Sequence, residues 1–89
     1  MSETKRAYFT YMVRCADGTL YTGFTVDDVH RRIVMHNAGK GAKYTKSRRP
    51  VELVWYHEWE SEHEARSAEY HMKRLSRREK EELVKEFGD

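Results

Sequence analysis

The chain has almost no cysteine and no long apolar run, and each scarcity removes a class of protein. A lone cysteine, Cys15, closes no internal disulfide, and with no CxxC pair or Cys/His spacing there is no zinc-site pattern. Cys15 therefore reads as a small buried hydrophobe. Apolar stretches run only a few residues and Met1 to Arg6 is polar, so neither a membrane span nor a secretory signal is expected, and the cytoplasm is the default location. Internal repeats, low-complexity tracts and linkers are also missing. At 89 residues the chain is expected to form one domain, 1–89, with a core over about residues 7–87. Charged residues (36%) nearly match hydrophobic ones (38%), yet two Trp, six Tyr and three Phe supply packing units that a disordered chain of this charge lacks. A folded, highly charged module is the expectation.

Net charge is only +2, so partners must be argued from where the charge lies. Between Gly39 and Pro50 stand Lys40, Lys43, Lys46, Arg48 and Arg49 with no acid, whereas Glu58, Glu60, Glu62 and Glu64 alternate in one short stretch. Lys73, Arg74, Arg77, Arg78 and Lys80 follow Glu69 as a second basic cluster. Charge alone leaves a solvated surface and a nucleic-acid surface equally open.

Ala7 to Cys15, rich in Tyr, Phe and Val, reads as a strand; Ala16-Asp17-Gly18 is a turn, and Thr19 to Thr25 a second strand. Asp27 or Asp28 can cap a helix running to about Ala38, with Val29, Ile33 and either His36 or Asn37 on one stripe and Gly39 as the stop. A Gly-rich basic loop follows. Val51 to Trp59 reads as a third strand. Ser61 with Glu64 makes a capping box for a helix bearing Ala65, Ala68, Met72 and Leu75, and Ser76 with Glu79 opens a last helix packed by Leu83, Val84 and Phe87.

Side chains alternate faces along a strand, so the turn decides whether Tyr11 and Tyr21 act together. A two-residue Asp17-Gly18 turn would pair Ala16 with Thr19 and separate them. A three-residue loop ending in a left-handed Gly18 pairs Cys15 with Thr19, sets Val13 opposite Tyr21 and Gly23 opposite Tyr11, and puts both tyrosines on one face. The three-residue loop is expected, with Gly23 leaving room beside a ring for a phosphate.

Phe9-Thr10-Tyr11, Tyr21-Thr22-Gly23, Val29-His30-Arg31-Arg32-Ile33 and Glu64 through Lys73 resemble, in that order, a GIY-YIG nuclease domain over roughly Tyr8 to Val84. The loop His36-Asn37-Ala38-Gly39-Lys40-Gly41-Ala42-Lys43-Tyr44-Thr45 is similar to that of small stand-alone bacterial members, the uncharacterised UPF0213 type. The resemblance implies an α/β (α+β) fold, a small three-stranded antiparallel sheet flanked by three helices, which hydrolyses DNA phosphodiesters with one divalent ion, Mg2+ or Mn2+.

Roles follow from the resemblance position by position. Tyr21 resembles the tyrosine that activates or positions the attacking water, and Tyr11 its partner that holds the site by hydrogen bonding. A free phenol titrates near 10, so a cation or metal would have to lower it. Arg32 resembles the arginine that contacts the scissile phosphate, where a fixed guanidinium fork suits growing charge. His36, four residues on along the helix, matches a histidine of some members and could accept or relay a proton. Glu69 resembles the metal-binding glutamate; magnesium keeps several waters and needs few protein carboxylates. Lys40, Lys43, Lys46, Arg48, Arg49 and Lys73 would meet the nucleic-acid backbone. Taken singly these residues have bland readings: sheet-packing tyrosines, a surface arginine or glutamate, a helix-end histidine, and a glycine that relieves crowding. Trp55 and Trp59 read as core or sheet-edge residues with base stacking open, and His30, His57, His63 and His71 as surface or partly buried.

Phe9 and Thr10 stand where the first motif has Gly and Ile, and the only asparagine is Asn37, so the one that longer members carry beyond the metal glutamate has no counterpart. A module this small without an appended DNA-reading domain points to selection of branched, nicked or single-stranded DNA by shape, in repair or recombination. It is expected to act as a monomer and away from membranes. The alternative is a catalytically weak or inactive nucleic-acid-binding module; a third reading is a protein-interaction domain using the acidic stretch Glu58 to Glu64.

Overall fold

The computed structural model describes residues 6–88, so the polar N-terminal stretch lies outside it apart from Arg6. In chain order the elements are β1 (Tyr8–Arg14), β2 (Leu20–Val26), α1 (Val29–Asn37), a single turn α2 (Lys43–Lys46), β3 (Glu52–Trp59), α3 (Glu62–Lys73) and α4 (Arg77–Gly88). The strands form one antiparallel sheet in the order β2-β1-β3. β1 is thus the middle strand, and it buries Phe9 through Val13 without a break. A strand covered on both faces reads as a continuous apolar run rather than an alternation. No described helix is long and apolar enough to cross a membrane.

The hairpin takes the three-residue register. Cys15 N–H donates to Thr19 O at 2.8 Å, and Gly18 N–H to Cys15 O at 2.9 Å. Gly18 sits at φ +86°, the left-handed region where a side chain is penalised. The Asp17 carboxylate accepts from the Thr19 backbone N–H at 3.1 Å and the Thr19 hydroxyl at 2.6 Å, which fixes the turn. Val13 consequently lies opposite Tyr21, and Tyr11 opposite Gly23.

Phe9, Tyr11, Val13 and Cys15 share one face of β1 and form the core with Val29 of α1 and Val51, joined by the half-buried Tyr21, Ile33, Leu53 and Tyr56. α3 covers the other face. Its backbone comes close because Ala65 is small and fully buried, and the Thr10 hydroxyl donates to Ala65 O at 2.6 Å. α4 packs on β3, with the Phe87 and Tyr56 rings edge-on at 5.2 Å.

Of the two aspartates, Asp28 caps α1, accepting from Arg31 N–H at 3.1 Å, while Asp27 holds φ +77° and takes Arg6 at 3.2 Å. Gly39 at φ +81° ends α1. Of His36 and Asn37, His36 is the one buried on the stripe with Val29. Asn37 turns aside and clamps the chain across to β3: its Oδ1 accepts from Val51 N–H at 2.7 Å and its Nδ2 donates to Val51 O at 3.0 Å. Ser61 accepts from Glu64 N–H and Ser76 from Glu79 N–H, each at 3.1 Å; the second box is closed by Ser76 N–H donating to the Glu79 carboxylate at 2.9 Å, whereas Glu64 takes the Ser61 hydroxyl at 3.3 Å. The basic loop departs from the sequence reading in holding α2, where Ala42 O accepts from Thr45 and Lys46 N–H at 3.2 Å. One turn is too short for hydrophobic periodicity to reveal.

Candidate active site

Three neighbouring elements set the centre of the site. β1 supplies Tyr11, β2 supplies Tyr21, and α1 supplies Arg32 and His36 one turn apart. Both tyrosine rings pack edge-on against the His36 imidazole, each with ring centroids 5.8 Å apart. The Tyr11 oxygen lies 2.7 Å from His36 Nε2 and accepts a longer bond from Arg32 Nε at 3.4 Å. On its other side His36 Nδ1 lies 2.7 Å from the Thr45 hydroxyl, which donates to Ala42 O at 2.9 Å. The sequence therefore brings Tyr11, Tyr21, Arg32 and His36 together as expected, and adds Thr45.

Burial dominates the electrostatics here. Tyr11 and His36 are almost wholly enclosed. Burial pushes the Tyr11 phenol above its usual value against the pull of the Arg32 guanidinium, so the hydroxyl keeps its proton at neutral pH. For His36, burial first and the Arg32 charge second push the imidazole down to about 4. His36 is therefore neutral, and its nitrogens serve as one donor and one acceptor.

Tyr21 is the more accessible of the pair. Its ring stacks on Tyr44 of α2 at 5.6 Å and 19°, and the Lys73 ammonium lies 5.9 Å from its centroid. Lys73 is also paired with Glu69 at 3.1 Å one turn back on α3, while its reach to Tyr21 joins α3 to β2. Glu69 is mostly covered and its charge reaches Tyr11, raising the phenol pKa slightly further. A cleft of about 350 Å³ opens beside Arg32, between Thr25, Val26 and the α1 residues Arg31 and Met35.

Two expectations are corrected. The gap at Gly23 is not open for a phosphate: a Cβ there would stand 2.5 Å from the Tyr11 hydroxyl, so the Tyr11 ring itself occupies that space. The basic loop is also not uniformly available. Arg48 stacks on the Tyr44 ring at 3.9 Å, pairs with Asp17 at 3.1 Å and donates to Tyr44 O at 2.9 Å. Arg49 donates to Lys46 O at 2.8 Å and Asn37 O at 3.4 Å. These two arginines tie the loop to the hairpin and to α1, whereas Lys40, Lys43 and Lys46 are exposed and make no ion pair among the described residues. Trp55 and Trp59 are half-buried on the edge strand β3, and His30, His57, His63 and His71 are exposed.

Glu69, the carboxylate that the resemblance assigns to a metal, is paired here with Lys73. No group of three His, Cys, Asp or Glu side chains among the described residues could hold an ion. The chemistry of this single, mostly covered carboxylate is compatible with a hard divalent cation, since magnesium accepts one or two carboxylates and completes its shell with water and substrate phosphate.

The three-stranded antiparallel sheet presents two tyrosines on one face beside a helical arginine, and the GIY-YIG catalytic domain family, a nuclease class, matches residues 7–82. The chain belongs to the GIY-YIG superfamily of nucleases, and within it to the uncharacterised UPF0213 family of small bacterial proteins. It is 46% identical over 87 residues to a UPF0213 protein of Pediococcus acidilactici, covering 96% of this chain and 88% of that one. It is 48% identical over 79 residues to the UPF0213 protein YazA of Bacillus subtilis, covering 89% and 79%. Two solution NMR structures share the fold. The UPF0213 protein BH0048 of Bacillus halodurans matches with TM-score 0.57 and 49% identity over 89% of this chain and 83% of that one. The protein EF2693 of E. faecalis matches with TM-score 0.57 and 38% identity over 99% and 92%. Nucleases of the superfamily generally depend on a divalent metal.

Proposed function

We propose that the protein is a metal-dependent DNA endonuclease that hydrolyses phosphodiester bonds, selects branched, nicked or single-stranded DNA by shape, and serves DNA repair or recombination as a cytoplasmic monomer, one domain over the whole chain. The observation that carries the reading is the tether from Arg32 Nε to the buried Tyr11 hydroxyl, beside a second tyrosine packed on the same histidine. A guanidinium held in place meets phosphate charge without reorganising, which is where electrostatic catalysis gains most. Tyr21, the accessible tyrosine, activates or positions the attacking water. Tyr11 and His36 hold the arrangement. Glu69 would hold Mg2+ or Mn2+, and the bound ion would polarise the phosphate and promote ionisation of water. Lys73 pairs with that carboxylate at 3.1 Å, so a metal would have to compete with it and would bind weakly without phosphate oxygens from DNA.

The same Lys73–Glu69 pair supports a second reading, a nucleic-acid-binding module with little or no turnover. One experiment separates them: branched, nicked and single-stranded DNA is incubated with the protein in Mg2+ or Mn2+. Cutting that drops about 100-fold or more in both Arg32→Ala and Glu69→Ala supports the enzyme. Cutting unchanged by both substitutions identifies a contaminant. DNA binding with no cutting, unaffected by Glu69→Ala, selects the binding module.

A further inference from the structure

We propose that Thr45 is a positioning residue of this site, its hydroxyl fixing His36 as the Nδ1–H tautomer so that Tyr11 donates to Nε2 and keeps a lone pair for Arg32. Its consequence for cleavage rests on the nuclease reading above; the tautomer does not.

The assignment follows from counting hydrogens along four contacts in series. Arg32 Nε–H can only donate, and the Ala42 carbonyl at the far end can only accept. Between them lie three contacts, Tyr11 to His36 at 2.7 Å, His36 to Thr45 at 2.7 Å and Thr45 to Ala42 O at 2.9 Å. A neutral imidazole and two hydroxyls bring one hydrogen each. With all of them pointing inward, every contact holds one hydrogen. Reversed, Thr45 would donate to Nδ1 and face the Ala42 carbonyl oxygen to oxygen, and the Tyr11 hydrogen, displaced by an Nε2–H, would find no acceptor among the described residues. An imidazolium fails for the same reason, since it would donate to both neighbours.

The local backbone is built for this approach. A Cβ on Gly41 would collide with the His36 imidazole, so glycine there lets the loop close against the Nδ1 side of the ring. Thr45 is fully buried although its neighbours Lys43, Tyr44 and Lys46 are exposed. Tyr44, the preceding residue, stacks on Tyr21. One turn of helix in a basic loop thus backs both tyrosines, Tyr11 indirectly through the Thr45–His36 hydrogen bond and Tyr21 directly through ring stacking.

The test combines nitrogen-15 NMR of the His36 ring with single-turnover cleavage, in wild type, Thr45→Val and Thr45→Ser. Wild type is expected to show a protonated Nδ1 and an unprotonated Nε2. Thr45→Val should lose that single tautomer, and its cleavage rate should fall about 10- to 100-fold with little change in DNA affinity, as when an orienting partner is removed from a site. Thr45→Ser should restore both, which a role in packing the methyl group would not do. A wild-type Nε2–H tautomer, or an unchanged tautomer in Thr45→Val, overturns the assignment, and neither result needs an active enzyme. A wild type that cuts none of the substrates while showing the Nδ1–H form overturns the nuclease reading and leaves the assignment supported.

Discussion

At the scale of single residues, the site depends on keeping His36 uncharged, and that has a measurable signature. Its folded value of about 4 lies below the 6.5 of an exposed imidazole. As pH falls below 6.5 the unfolded chain therefore binds the proton first. Stability from the neutral ring is complete above pH 6.5 and is lost as pH falls towards 4, by roughly 3 kcal/mol across that window. Urea unfolding of wild type and His36→Gln at pH 7 and pH 4.5 checks this: the gap between the two proteins should shrink at the lower pH. Equal losses in both would show that His36 has no part in the slope. Arg32 calls for a different measurement, because the role proposed for it is one of shape as well as charge. A lysine keeps the charge but loses the planar fork and the Nε–H that meets Tyr11. Arg32→Lys should therefore cut nearly as poorly as Arg32→Ala, about 100-fold below wild type. Near-normal cleavage by the lysine variant would mean that a point charge suffices.

Elements are positioned by two glycines with opposite reasons for being glycine. Gly18 needs its left-handed φ of +86° and has nothing within 4 Å of where a Cβ would stand, whereas Gly23 has ordinary backbone and the Tyr11 ring pressed against it. Gly18→Ala should thus lower stability by about 1–2 kcal/mol through backbone strain while the remaining folded protein cuts normally. Gly23→Ala must displace the Tyr11 phenol, with an overpacking cost of about 1–3 kcal/mol and a loss of cleavage beyond what unfolding accounts for. Denaturation curves read beside rates per folded molecule distinguish the two; a Gly23→Ala protein with normal rates would show that Tyr11 can move freely. The contrast also marks how far local pattern reaches. Asp17-Gly18 chemistry, the Ser61/Glu64 and Ser76/Glu79 caps and the Gly39 stop were legible, because each acts over two to four positions and its partners are visible nearby in the chain. The role of Gly23 was only half legible: register placed it opposite Tyr11, but which way a ring turns depends on what fills the far side, here His36 from another element.

For the whole molecule, the contacts that sequence could not supply are those closed by folding. Thr45 lies nine positions beyond His36 in a loop with no periodicity, and Glu81 grips Arg14 at 2.7 and 2.9 Å from 67 positions away. No spacing rule joins such pairs. Family order proposes Tyr11, Tyr21, Arg32 and Glu69 for the site, and folding places Tyr11 and Arg32 in contact, while the charge pattern treats five loop cations as equivalent when two of them are structural. That division sets the expected electrostatics of binding. Lys40, Lys43 and Lys46 project from the loop beside the site, so each can neutralise one phosphate on duplex DNA, and log affinity should fall by about 0.9 per decade of salt for each. Replacing all three with glutamine should make the slope of log affinity against log salt shallower by about 2.7 while leaving the unfolding midpoint near wild type. Arg48→Gln should behave in the reverse way. It removes the Asp17 pair and the support of Tyr44, so stability falls by about 1 kcal/mol and the salt slope changes little. Fluorescence anisotropy on a labelled duplex across a salt series, beside urea unfolding, reads both quantities. Equal slope changes from Arg48 and from any one of the lysines would show that the loop opens on DNA and releases its arginine to the backbone.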